Sequence, residues 1–587
     1  LMGAYGCALH AAADYPTETN ARSIDDLLNL AHYETRQLQC KGCENHCYVS
    51  RYTFAGGNKF YSGNKCERVF NNKGANEIKG KNIYEYKYHL LFDGKEIKHF
   101  DVTKRHIKVG IPRILNMYED FPFWNALLHA AGFDVILSSD STFSQYEGAL
   151  NTVMSDNICF PAKLAHSHLK ELNENPEVDR ILMPYVVYEH NDDPKNTLNS
   201  FNCPVVSGYS DVIKSVIDLK KPIDSPVINF AQSKALEKQI VDYLKKLGVD
   251  RKTARKALRE ALYAQTAYSA EIKTKAWEIL NQNEEKPRLT ILLAGRPYHT
   301  DPLVQHKLSE MIANLGVNVI SEDIARGSSD NNDAYNSQPE TYLVKQWAYM
   351  NRIMKAAQWA AEQGDNVHFV QMTSFGCGPD SFIQDEIRDI MKRHNKPFTL
   401  LKIDDVSNIG SLKLRVRSLI ESLKVKSNHK VQSSKFKVQS LKQTKVFTKQ
   451  DVHRKILAPF MTEYLTPIIP PILKLIGYDV EVLPMSDEAS AEIGLRFANN
   501  EVCYPATLIV GDIIKALKSG KYDLKNTAVV MSQTGGQCRA TNYAGLIKRA
   551  MISNGFQDVP LLTLGVTAST GEASGSTDDK QDYNEQD

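Results

Sequence analysis

The chain has 587 residues, a net charge of +2 and 42% hydrophobic residues, the profile of a globular protein long enough for three or four domains. A nearly neutral balance argues against a surface that coats nucleic acid and favours a small-molecule or protein partner. No apolar run reaches the roughly 18 residues that would suggest a membrane span, and no secretory signal is visible, so a cytoplasmic setting is expected. Position 1 is Leu rather than Met, which suggests the remainder of a longer chain. Ten cysteines without a signal peptide are expected to be reduced, which points to metal binding, redox chemistry or catalysis.

Small residues from Gly3 to Leu9 open the chain and lead into an apolar helix. No GxxxxGK[S/T] phosphate loop occurs anywhere. Residues 23–39 read as a polar helix capped by Ser23, with Asp25 and Asp26 in its first turn. Cys40, Cys43 and Cys47 follow at close spacing, and Cys66 returns after a Gly-rich, hairpin-like stretch. Four thiols so placed can close a tetrahedral site, either zinc or a [4Fe–4S] cluster. Residues 81–101 alternate around Tyr84, Tyr86, Tyr88 and Leu90 and read as a hairpin that breaks at Asp93-Gly94.

From residue 107 onward, apolar strands alternate with helices. Strands are expected at 107–111, 134–137 and 180–185, with a helix near 120–131 and a long helix headed by Cys159. Cys203-Pro204 sits in the loop after the third strand. The element Asn157-Ile158-Cys159-Phe160-Pro161-Ala162 returns as Glu501-Val502-Cys503-Tyr504-Pro505-Ala506, and Gly132-Phe133-Asp134-Val135 returns as Gly477-Tyr478-Asp479-Val480. One α/β unit is therefore used at least twice. A cysteine at the start of a helix lies in a field that favours the thiolate, and proline suits the first turn.

Residues 227–285 read as a helical connector rich in Ala, Leu, Lys and Glu. A second unit opens with a strand at 289–293 and the loop Gly295-Arg296-Pro297-Tyr298-His299-Thr300-Asp301, in which His299 and Asp301 are candidate supports for a site. A strand at 368–371 runs into Phe375-Gly376-Cys377-Gly378-Pro379, where glycines allow the backbone close to a bulky group. Residues 424–446 are basic and repetitive and read as a solvated linker. A third unit carries strands at 456–459 and 527–531, and Cys538 lies in a Gly-rich loop. The tail after 566 has almost nothing apolar to bury. The expected fold is α/β, with repeated doubly wound, flavodoxin- or Rossmann-like parallel-sheet units and a small N-terminal cysteine-rich metal module. In such sheets, ligands collect at the carboxyl ends of the strands.

Together, the Cys159 element, the Cys203-Pro204 loop, the Cys377 element and the Cys40–Cys66 module resemble the large activase-related proteins of the 2-hydroxyglutaryl-CoA dehydratase family. The resemblance implies the following layout. Residues 1–35 are the remnant of a preceding ATPase domain, 36–100 the four-cysteine metal module and hairpin, 101–225 the first α/β unit and 226–286 the connector. Residues 287–423 form the second unit, 424–448 the linker, 449–566 the third unit and 567–587 a disordered tail. It also implies an anaerobic iron–sulfur redox protein in an ATP-driven, low-potential electron-transfer system. Cys159, Cys203 and Cys377 would then match the ligand order of a [4Fe–4S] cluster, and Cys503 and Cys538 a further, incomplete set. Cys40, Cys43, Cys47 and Cys66 would hold zinc or a second cluster, and ATP would act only through the upstream domain. The implied partners are an ATPase activator domain or subunit and an acyl-CoA or other small-molecule substrate, with a homodimer among the options. Two alternatives stay open: a 2-hydroxyacyl-CoA dehydratase-like enzyme with an open cluster site, and a non-enzymatic, zinc-stapled scaffold.

Overall fold

The computed structural model describes residues 2–14, 23, 25, 32–41, 48–54, 57–63, 79–93, 102–281, 288–327, 339–405, 409–428 and 440–565. The chain forms two compact bodies, residues 1–78 and 79–587.

The first body contains a helix, Met2–Asp14, and an antiparallel sheet of three strands, Tyr33–Gln39, Tyr48–Phe54 and Lys59–Ser62, in that order. The stretch expected as a helix at 23–39 thus ends as a strand. Tyr33 through Gln39 pair residue for residue with Phe54 back to Tyr48, and cross-strand contacts such as Tyr33 against Tyr52 and Phe54 outweigh the local helical pattern. Cys40 is buried beside Val49, while Cys43, Cys47 and Cys66 lie outside the described residues. The metal-module expectation falls there with them.

The second body contains three parallel four-stranded sheets. The first has strands Lys108–Ile111, Asp134–Leu137, Arg180–Leu182 and Ile223–Asp224. The second has Thr290–Ala294, Asn318–Ile320, Val367–Ser374 and Thr399–Ile403. The third has Lys455–Ala458, Asp479–Val482, Thr527–Gln533 and Leu561–Gly565. Numbered within each sheet, the strand order is 2-1-3-4 every time. That is the order of a doubly wound, flavodoxin-like fold, with the crevice at the carboxyl edge. The expected strand 180–185 divides: Arg180–Leu182 stays in the main sheet, and Tyr185–Tyr188 pairs instead with Val227–Asn229. The connector is a pair of helices, Ser233–Lys246 and Arg251–Leu280.

The hairpin expected at 81–101 is instead the helix Ile83–Phe92 over its described part. Asn82 caps it by accepting the Tyr84 amide at 3.1 Å. The buried positions Ile83, Tyr84, Lys87, Tyr88 and Leu91 follow helical spacing, and the apparent alternation of tyrosines comes from residues on both flanks of that face.

This helix contributes a lysine to a buried ionic network that joins the first two α/β units. Lys87 Nζ lies 2.7 Å from Asp323, and Arg326 lies 2.7 Å from Glu119 and 3.4 Å from Asp323. Arg352 grips both Glu119 oxygens at 3.2 Å. Burial pushes the Glu119 carboxyl up, but Arg326 and Arg352 outweigh it and hold the group below its ordinary value. Among the described residues, no helix is long and apolar enough to cross a membrane.

Removing Glu119 leaves two buried guanidiniums short of a counter-charge. Glu119→Ala is therefore expected to cost about 3–5 kcal/mol, read as a lower urea midpoint. An unchanged midpoint would show that Asp192 and Asp323 already satisfy both arginines.

Candidate functional site

Five of the described cysteines share one local design. Cys159, Cys203, Cys377 and Cys503 are the N-caps of the helices Phe160–Glu174, Pro204–Val216, Gly378–Arg393 and Tyr504–Lys518. Cys538 caps the short turn Arg539–Asn542. In each of the four helices a proline occupies the first or second position, where a missing N–H costs nothing. The Val206 amide donates to Cys203 Sγ at 3.4 Å. The amides of Ala162 and Asp380, at the same offset, lower the pKa values of Cys159 and Cys377. Gly376, with φ +67°, supplies the turn that delivers Cys377 to its helix.

One side chain touches one of these thiols and lies within electrostatic reach of two more. Arg296, fully buried after the strand Thr290–Ala294, donates from Nη2 to Cys377 Sγ at 3.1 Å and to Asp380 Oδ1 at 3.0 Å. Cys203 lies close enough to Cys159 to raise the cost of ionising it, and the Arg296 charge acts on both Cys159 and Cys377. Tyr298 feels both Cys159 and Cys377. Burial pushes the Cys159 thiol up to about 12, with Cys203 adding to the rise. Burial likewise drives Cys377 well above its ordinary value, against the pull of Arg296. Burial works against the Arg296 charge, but Asp380, the largest opposing influence, outweighs it and keeps the guanidinium charged.

The supports expected at His299 and Asp301 act on the loop itself. His299 Nδ1 accepts the Arg296 amide at 2.9 Å, so the ring proton sits on Nε2, and burial lowers the imidazole pKa to about 3. Asp301 accepts from Tyr118 Oη at 2.5 Å and from the Leu303 amide at 2.7 Å.

Cys503 and Cys538 have a different common neighbour. Cys503 Sγ is 2.8 Å from Tyr543 Oη, and Cys538 acts on the same phenol. The loop that carries Cys538 is fastened to both earlier units. Gln537 donates to the Asn202 carbonyl at 3.2 Å and to Ser207 Oγ at 2.6 Å. Trp347 Nε1 donates to the Gln537 carbonyl at 3.2 Å, and the Val344 amide donates to Asn542 Oδ1 at 2.6 Å. The Arg539 guanidinium packs so tightly on Gly378 that a Cβ there would collide with it. Arg296, Asp380, Tyr298 and Arg539 were not among the sequence candidates. Their one signal was the strand-loop setting of Arg296 and the adjacency of Asp380 to Cys377.

Residues 108–325 match the family model described as "CoA enzyme activase uncharacterised domain". At this coarse level that stretch is similar to an activase-related domain. The matched stretch includes Cys159, Cys203 and Arg296, but not Cys377, Cys503 or Cys538. No curated protein matches the chain. Among solved structures, a putative sugar binding protein from Salmonella typhimurium LT2 is similar at 11% identity and a TM-score of 0.16, over 58% of this chain and 90% of that one.

In the metal-free chain, the raised pKa leaves Cys159 about a thousandfold poorer in thiolate than an ordinary thiol at the same pH. Alkylation at pH 8, followed by peptide mass spectrometry, should label exposed Cys7 rapidly and Cys159 slowly, with the Cys159 rate climbing toward about pH 12. Equal rates at the two positions would contradict the buried, protonated thiol.

Proposed function

We propose that this activase-related chain is an iron–sulfur redox protein of an ATP-driven, low-potential electron-transfer system, and that Cys159, Cys203 and Cys377 hold its [4Fe–4S] cluster. The observation that carries this reading is that one buried guanidinium bonds Cys377 and acts electrostatically on Cys159 and Cys203, each of the three thiols standing at a helix start.

The donor set suits the group. Three neighbouring thiolates in a partly buried crevice are costly on their own, in line with the upward pKa shifts of Cys159 and Cys377, and a cationic iron–sulfide core would relieve that cost. When bound, such a cluster supplies a one-electron couple and leaves one iron without a protein thiolate. The chain's own residues set its surroundings. Helix N-termini direct amides toward the sulfurs, Arg296 offsets the negative charge of the thiolates, Asp380 orients Arg296, and His299 fixes the backbone from which Arg296 extends. Cys503 and Cys538, joined by Tyr543, make the incomplete second set in this proposal. Cys40, Cys43, Cys47 and Cys66 are assigned to a separate zinc or iron–sulfur module. An ATPase activator, as a domain or a subunit, is the proposed electron donor, and the acceptor is an acyl-CoA or another small molecule.

The test is anaerobic purification from iron-replete cells. The wild-type chain should be brown and carry iron and sulfide, and Cys159→Ala, Cys203→Ala and Cys377→Ala should each remove most of that iron. Arg296→Gln should keep the iron but lower the midpoint potential in an EPR-monitored titration, because a positive charge beside the centre favours its reduced form. A colourless chain, or one holding zinc alone, would overturn the proposal in favour of a scaffold.

A further inference from the structure

A second group of chemistry-bearing side chains, none of them a thiol, lies at the junction of the first two units. Asp120 stands in the helix Met117–Ala130, and Glu189 and His190 follow the strand Tyr185–Tyr188. One donor atom from each of the three lies within 4.8 Å of the other two. Asp120 and Glu189 are both 0% exposed.

Their hydrogen bonding is uneven. Glu189 Oε2 accepts from Asn116 Nδ2, from Asn202 Nδ2 at 3.1 Å and from Tyr349 Oη at 2.8 Å, while its Oε1 accepts the His190 amide at 3.1 Å. Asp120 Oδ2 accepts from Asn116 at 3.2 Å. Asp120 Oδ1 is buried and receives no hydrogen bond, and His190 Nε2 is buried without a partner. A buried acceptor left empty costs about 1–3 kcal/mol, more when the group is charged.

The charge balance points the same way. Arg326 and Arg352 are engaged by Glu119 and Asp192, and Lys87 by Asp323. Among the described residues, no lysine or arginine pairs with Asp120 or Glu189. Two buried carboxyl groups therefore adjoin one another with no cation between them. Beside them is a small cavity of about 30 Å³ lined by His190, Asp192, Arg326 and Arg352. That is room for one or two waters.

We propose that Asp120, Glu189 and His190 form a binding site for a divalent first-row cation, held by two carboxylate oxygens and one imidazole nitrogen. A mixed oxygen and nitrogen set without thiolate suits Mn²⁺, Fe²⁺ or Zn²⁺. The ion supplies the positive charge the junction lacks, fills the empty valences of Asp120 Oδ1 and His190 Nε2, and completes its shell with water from the cavity. It also braces Glu189, whose partner Asn202 immediately precedes Cys203. The site does not depend on the iron–sulfur reading.

The experiment is a Mn²⁺ titration of the full-length, chelator-treated chain, with free Mn²⁺ counted by EPR and thermal unfolding followed in parallel. Wild type should bind one Mn²⁺ per chain saturably and melt higher with it. Asp120→Asn and His190→Gln should each weaken binding at least tenfold and lose the thermal shift, while Cys7→Ala, an exposed thiol, binds as wild type does. His190→Gln, at the cavity wall, decides the matter should Asp120→Asn fail to fold. No saturable binding by the wild type, undiminished binding by the folded Asp120 and His190 variants, or binding lost in Cys7→Ala would overturn the proposal. If the wild type binds no Mn²⁺ and Asp120→Asn is more stable than wild type, the two carboxyl groups share a proton instead.

Discussion

Ions can be taken out of water only where other ions or dipoles replace it, and that constraint governs the junction of the first two α/β units. Glu119 is satisfied by Arg326 and Arg352, and Asp323 by Lys87 and Arg326. The partners come from the helix Ile83–Phe92, from the first unit, and from the turn and helix of the second. None of these groups is tolerable alone at its depth. The network therefore fixes the register between units more sharply than apolar packing could, because a slide that leaves aliphatic contacts intact would strand a charge. The crevice above it inherits that precision, since Arg296 and Cys377 belong to the second unit while Cys159 and Cys203 belong to the first.

The same physics operates among the thiols with the balance tipped the other way. Arg296 answers Asp380 and Cys377, yet burial still holds Cys159 and Cys377 protonated. One guanidinium is too little positive charge for three thiolates and a carboxylate. The helix N-termini help, but a partial charge at a helix end is a small correction against full desolvation.

Much of the fold could be read from the sequence because buried parallel strands are short apolar runs followed by glycine or polar loops. The strands at 134–137, 290–294, 455–458 and 527–533 fall within a residue or two of those runs. Two readings failed where partners are distant. Tyr33–Gln39 is extended because of Tyr48–Phe54, which no local pattern reveals. The helix Ile83–Phe92 hides a buried lysine on its inner face, so its apolar stripe looks interrupted until Asp323 appears opposite, 2.7 Å away. The crevice cysteines were legible from proline one or two residues downstream. Arg296 was not, because a single arginine after a strand has no spacing to betray it. Asp120, Glu189 and His190 were missed for the same reason: only the fold brings a helix residue beside a strand end.

The loop around Gln537–Asn542 couples the last unit to the crevice mechanically. It is tied to Asn202 and Ser207 on one side and to Val344 and Trp347 on the other, and Arg539 presses on the first residue after Cys377. The last α/β unit thus lays covalent structure directly against the thiol crevice. Displacing that unit would therefore break four hydrogen bonds and lift a guanidinium off the residue next to Cys377, so the last unit and the crevice move together or not at all.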